Sequence, residues 1–230
     1  MSTAPVAVAL DTADLETAVT WAHEVGPHVR AVKVGLELYL RYGPDAVVQA
    51  REASGEREVF LDLKLHDIPS TVAGAARSVA PLAPTYLTVH ASGGAAMIRA
   101  AAEALPATYV VGVTLLTSLH GADLERLGIS GTAQDLVRRL SVMSVEAGAR
   151  AIVCSPLEVA AVRHEVGPDV VLITPGVRPT ESAGADDQAR VATPERALAD
   201  GADLLVIGRP ITATSDRAAA AARIAASLAH

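Results

Sequence analysis

The chain has 230 residues, half of them hydrophobic, and a formal net charge of −7. That acidic balance, with no basic run, argues against a nucleic-acid partner, because phosphate backbones are bound by clustered Lys and Arg. Charges, Pro or Gly interrupt each apolar run before it reaches membrane-spanning length, the N-terminus lacks a signal-peptide pattern, and the one cysteine, Cys154, fits a reducing cytoplasm.

From the N-terminus onward, short apolar runs alternate with longer segments of helical pattern. Strands are predicted at 6–10 (VAVAL), 31–35 (AVKVG), 59–64 (VFLDLK), 86–90 (YLTVH), 109–114 (YVVGVT), 151–154 (AIVC), 170–174 (VVLIT) and 204–208 (LLVIG). The stretches between them are rich in Ala, Leu, Glu and Arg and read as helices, among them 14–26, 92–105, 132–148, 156–167 and 215–229. Repeated strand–helix units imply a parallel sheet. The strands are nearly continuous in Val, Leu and Ile, as expected when both faces are buried. Eight such units at this length predict an α/β fold, a closed (β/α)8 TIM barrel formed by residues 1–230 as a single domain. A doubly wound open sheet is the competing architecture. It more often carries a Gly-rich fingerprint after its first strand, whereas here that strand runs into ALDTAD. The longest loop-like stretch, 176–194, is polar and reads as a functional lid or a disordered insertion.

Active sites in such barrels sit at the C-terminal ends of the strands, and the chemistry of this chain collects there. The first strand ends in Asp11, and the second carries Lys33 near its end. The third ends with Asp62, Lys64 and then Asp67. The fourth ends in His90, the fifth runs into Thr117 and Ser118, the seventh into TPGVRP and the eighth into IGRP. Polar residues are expected wherever loops begin, which accounts for His90 and Ser155. It does not account for two lysines and three aspartates in or beside apolar runs, because buried charge is costly unless paired or used.

Side chains alternate faces along a strand. Leu61, Leu63 and Leu65 therefore share one face and pack on helices, which puts Asp62 and Lys64 inward at the barrel mouth. Lys33 lies opposite Val32 and Val34 by the same rule. A lysine beside aspartates keeps its ammonium form and can donate a proton. A second signal is VIGRPIT, 206–212. Gly208 ends a strand, Arg209 follows, and Pro210 suits the opening of a short helix, the makings of an anion site. Arg178, in the neighbouring TPGVRP, is placed to reach the same phosphate. His66 lacks a second His or Cys at ligand spacing, so it is read as an ordinary loop residue. Cys154 is read as a small buried hydrophobe, and Trp21 as packing the first helix against the barrel.

These residues also match a known family. The segments ALD, KVG, FLDLKLHDIPST, TVHASGG, LTS, TPGVRP and IGRPIT resemble, in order and spacing, the orotidine 5'-phosphate decarboxylase family, and D-x-K-x-x-D-I-P-x-T is its most specific motif. The resemblance runs nearly end to end. It implies a homodimeric barrel that converts orotidine 5'-monophosphate to UMP and CO2, the last step of de novo pyrimidine synthesis, with neither metal nor organic cofactor. It implies Lys64 as proton donor to C6 of the pyrimidine and Asp62 as the carboxylate beside the substrate carboxylate, with Lys33 and Asp67 completing an alternating charge network. Asp67 and Thr71 would come from the partner subunit, so each site would span the interface. Asp11 and Lys33 would contact the ribose hydroxyls and Thr117 the base. Arg178, Gln188, Gly208 and Arg209 would hold the phosphate, with Gln188 on the long lid. The nearest rival is an Mg2+-dependent 3-keto-gulonate 6-phosphate decarboxylase or hexulose phosphate synthase, which shares D-x-K-x-x-D. Lys33 and the HDIPST continuation favour the pyrimidine enzyme. A non-catalytic nucleotide-phosphate binder would need the phosphate grip but no Lys64.

Overall fold

The computed structural model describes residues 3–119, 121–178 and 192–229. Among them, eight strands close into a parallel barrel in chain order. They are β1 (Ala4–Ala9), β2 (Val29–Gly35), β3 (Glu58–Leu65), β4 (Tyr86–His90), β5 (Tyr109–Val113), β6 (Ala151–Val153), β7 (Val171–Thr174) and β8 (Leu204–Ile207). The helices are α1 (Leu15–Val25), α2 (Leu36–Tyr42), α3 (Pro44–Ala53), α4 (Pro69–Val79), α5 (Ala95–Ala104), α6 (Gly121–Arg126), α7 (Ala133–Glu146), α8 (Val159–Val166), α9 (Pro194–Ala199), α10 (Arg209–Thr212) and α11 (Arg217–Ser227). Each predicted strand is present, with ends displaced by at most two residues, and the open-sheet alternative is excluded by the pairing of β1 with β8.

Alternation along the strands divides the core in two. Ala7, Ala31, Phe60, Tyr86, Val111, Ala151, Ile173 and Leu204, one from each strand, fill the barrel interior. The outward positions, among them Val8, Val32, Leu61, Leu87, Ile152 and Leu205, pack against the helices. Those helices present small faces, Ala18 and Ala22 on α1 and Ala46 and Ala50 on α3, all fully buried. The abundance of alanine is therefore a packing feature, because short side chains let helices lie close on the barrel. Trp21 packs against this core from its rim, with the Arg217 guanidinium of α11 5.2 Å from its ring centroid.

The interior is closed at its lower end by Phe60 and Tyr86, whose rings meet edge to face at 5.9 Å. Arg30 donates to the Tyr86 hydroxyl and pairs with Glu58. Burial, joined by the Glu58 carboxylate, pushes the Tyr86 phenol up to about 12. This end has a structural task, as expected for the N-terminal face of the barrel. Two residues further along the strands from Ala31, Phe60 and Tyr86 stand Lys33, Asp62 and Thr88, and there the interior changes from apolar to charged.

Candidate active site

The strand ends enclose a cavity of about 470 Å³, within the range of small-molecule sites. Asp11, Lys33, Asp62, Lys64, Thr117, Arg178, Gly208 and Arg209 all line it. These residues are spread over most of the sequence, and only closure of the barrel brings them together.

At its centre is a chain of alternating charge. Lys33 Nζ lies 3.2 Å from Asp11 Oδ1 and 3.2 Å from Asp62 Oδ2. Lys64 Nζ donates to both Asp62 oxygens, each at 2.8 Å. The Asp62 side chain is only 8% exposed and that of Lys33 12%, whereas Asp11 at the outer end is 63% exposed. Burial pushes the Asp62 carboxyl up, but Lys33, Lys64 and the hydroxyl of Thr88 outweigh it and hold the carboxyl below its ordinary value. Burial likewise opposes the Lys33 charge, and Asp62 and Asp11 outweigh it, so the ammonium is held more firmly than usual. Asp62 and Lys33, the two innermost charges, are thus ionised at neutral pH.

Local structure explains how these side chains converge. Lys33 and Asp62 point inward by strand alternation, as predicted. Lys64 does too, but not by simple alternation. It has a left-handed backbone, φ +49°, and the β3–β4 register slips between the pairs Leu61↔Leu87 and Leu65↔Val89. Such bulges re-aim a side chain at the cost of local strain and are common beside active sites. The Lys64 N–H donates to Thr88 Oγ1 at 2.8 Å, and Thr88 Oγ1 donates to Asp62 Oδ1 at 3.0 Å. Sequence reasoning passed over Thr88. Its signal was a hydroxyl at an inward position, two residues after Tyr86, in an otherwise apolar strand.

Gly35 joins β2 to α2 beside the array. A Cβ there would stand 3.1 Å from Asp11 Oδ1 and 3.2 Å from Lys33 Nζ, so glycine leaves room for that ion pair. After β8, the strand that pairs with β1, Gly208 caps α10 with Pro210 in its first turn, as the sequence predicted. Arg209 and Thr212 from α10 face the cavity with Arg178.

Asp67 and Thr71 are not brought to this cavity within the chain. Asp67 Oδ1 accepts from the Ile68 N–H at 2.6 Å, and every residue from His66 to Thr71 is exposed. Gln188 and most of the predicted lid lie outside the described residues. His66 touches His90, ring centroids 5.3 Å apart, and burial, His66 and Lys64 push the His90 imidazole below its usual value. Cys154 is fully buried, and burial pushes its thiol far up. No group of three or more His, Cys, Asp or Glu side chains is arranged to hold a metal ion among the described residues, and no helix there is long and apolar enough to cross a membrane.

A closed barrel with ammonium groups and carboxylates alternating at its mouth is the framework of an enzyme that moves protons on a small molecule. A sequence model of the Orotidine 5'-phosphate decarboxylase / HUMPS family matches residues 4–224. The chain is 68% identical over 225 residues to the orotidine 5'-phosphate decarboxylase of Thermobifida fusca, covering 98% of this chain and 96% of that one. It is 55% identical to that of Frankia casuarinae, covering 98% and 88%. The crystal structure of orotidine 5'-phosphate decarboxylase from Lactobacillus acidophilus superposes with a TM-score of 0.84 at 34% identity, covering 99% of this chain and all of that one. The chain belongs to the orotidine 5'-phosphate decarboxylase family.

Proposed function

We propose that this barrel decarboxylates orotidine 5'-monophosphate to UMP and CO2, as a carboxy-lyase of pyrimidine nucleotide synthesis. The observation that carries the reading is the chain Asp11–Lys33–Asp62–Lys64 at the cavity floor. Both Asp62 oxygens are already engaged by Lys64, one also by Lys33 and one by Thr88. Two ammonium groups against one carboxylate repel a further cation there, which favours the pyrimidine enzyme over an Mg2+-dependent relative.

The chemistry follows from the charges. The bond from C6 to the carboxyl carbon breaks, CO2 leaves, and the electron pair stays on C6. The Lys64 ammonium, fixed beside Asp62, stabilises that developing charge without reorganising and then transfers its proton to C6. Asp62 faces the substrate carboxylate and disfavours it until it leaves. Asp11 and Lys33 take the ribose hydroxyls and Thr117 the base. Arg178, Gln188, Gly208 and Arg209 take the phosphate. Binding energy from the distant phosphate is then available to orient the reacting carbon.

The same reading takes residues 1–230 as one catalytic domain that needs no metal or organic cofactor and works in the cytoplasm, where a lone buried thiol such as Cys154 suits the redox state. It also takes the protein as a homodimer. Ile68, 65% exposed, lies between Asp67 and Thr71 on an open segment suited to a second copy, which would carry Asp67 and Thr71 into the neighbouring cavity.

The test is direct. Purified protein, treated with EDTA, is mixed with orotidine 5'-monophosphate, and the ultraviolet absorbance of the substrate is followed. The expected result is a full-rate fall in absorbance with stoichiometric UMP. No turnover, or turnover that requires added Mg2+, would overturn the reading.

A further inference from the structure

Thr88 lines no part of the cavity and is completely buried, yet it joins the two groups on which the proposed chemistry turns. At the slip in register, Asp62, Leu63 and Lys64 of β3 lie opposite Thr88 alone on β4. Lys64 there has a left-handed backbone, φ +49°, which disfavours any residue with a Cβ and persists only where its surroundings enforce it. The one hydroxyl at this point accepts from the Lys64 N–H at 2.8 Å and donates to Asp62 Oδ1 at 3.0 Å. A hydroxyl provides donor and acceptor from a single atom, whereas valine, equal in shape, provides neither. Without it a part-buried N–H is left without this acceptor, and the carboxylate loses the one neutral donor that fixes its rotation between the two ammonium groups.

We propose that Thr88 is a positioning residue for decarboxylation: its hydroxyl enforces the backbone twist that aims the Lys64 ammonium, and locks the Asp62 carboxylate at the rotation where Lys64 meets both oxygens. The inference rests on the roles given above to Lys64 and Asp62. A residue that only filled space would be replaced by valine at little cost. One that positions charge through its hydroxyl would be replaced by serine.

The experiment compares wild type, Thr88→Val and Thr88→Ser in steady-state turnover of orotidine 5'-monophosphate, in UMP affinity and in the pH profile of kcat. Thr88→Val is expected to lower kcat by about tenfold or more, with KM and the UMP Kd held within about threefold, because the residue does not touch the ligand. Thr88→Ser is expected to keep kcat within about threefold of wild type, since the hydroxyl is retained. In Thr88→Val the acid limb of the profile should move to higher pH, because Asp62 loses a donor that favours its charged form. If the valine variant does not fold, Thr88→Cys, similar in size and a weak hydrogen-bonder, carries the same expectation. A valine variant with near-normal kcat, a serine variant as impaired as valine, or a loss of UMP affinity matching the loss of kcat would overturn the role of Thr88. A wild type with no turnover would instead overturn the functional reading.

Discussion

Lys64 is the residue on which the proposed reaction depends most directly. Its ammonium is held by Asp62 at 2.8 Å on each oxygen, whereas the phosphate contacts are assigned to the far wall of the cavity. Lys64→Ala should therefore lower kcat by about a thousandfold or more while leaving UMP binding close to wild type. Near-normal turnover in stopped assays would show that another group donates the proton. Asp62 carries a second expectation, in stability. Its pKa is lower in the folded protein than the ordinary 3.8. The stabilisation it contributes is thus present above the unfolded value and is lost as pH falls through the folded one. At neutral pH Asp62→Asn should cost on the order of 3 kcal/mol, because it leaves the deep Lys33 ammonium and the half-buried Lys64 ammonium without their shared carboxylate. That gap should begin to narrow as pH falls below about 4. Urea unfolding of both proteins across this range measures it, and a gap that stayed constant with pH would contradict the ionised state assigned to Asp62. Much of this residue-level picture was legible in the sequence, because a charge inside an apolar run at an inward parity needs a reason to be there. Thr88 was harder to see, because one hydroxyl in a strand is ordinary until its partners are known.

At the scale of elements, the strands were legible because burial on both faces forces continuous runs of Val, Leu and Ile. The bulge at Lys64 was not. It arises from the register between β3 and β4, a long-range property, and no glycine marks the left-handed residue. A glycine does mark another close contact. On β5, a Cβ on Gly112 would stand 2.8 Å from Ser144 Oγ and 2.9 Å from Ser144 Cβ. Ser144 and Ser141 are buried on α7, and their hydroxyls donate back to the carbonyls of Leu140 and Val137. Small residues on both elements thus let the helix lie directly on the strand. Gly112→Ala should push α7 outward and cost ~1–3 kcal/mol, the usual range for overpacking. Chemical denaturation checks this, and an alanine variant as stable as wild type would mean that α7 shifts at no cost. Gly112 is not among the cavity-lining residues, so the folded variant should keep most of its turnover.

At the scale of the whole molecule, the motif FLDLKLHDIPST has two destinations. Asp62 and Lys64 face inward at the strand end, while the chain after Leu65 leaves the barrel. Asp67 then sits on an exposed turn ahead of α4, which Pro69 opens, and among the described residues its carboxylate accepts only from the neighbouring Ile68 N–H. In sequence the three charges look like one cluster, and in the folded chain they are divided. If Asp67 serves the cavity of a second copy, each site takes Lys64 from one chain and Asp67 from the other. Asp67→Ala and Lys64→Ala proteins would then each be inactive alone. Mixed under conditions that exchange subunits, half of the dimers pair one variant with the other, and each such dimer has one intact site and one doubly damaged site. The mixture should therefore recover about a quarter of wild-type activity, from the statistics of a two-fold symmetric dimer. Recovery should follow the kinetics of subunit exchange, read independently by mass spectrometry of isotopically labelled chains. Exchange without recovery would place Asp67 in the cavity of its own chain, or outside the reaction altogether.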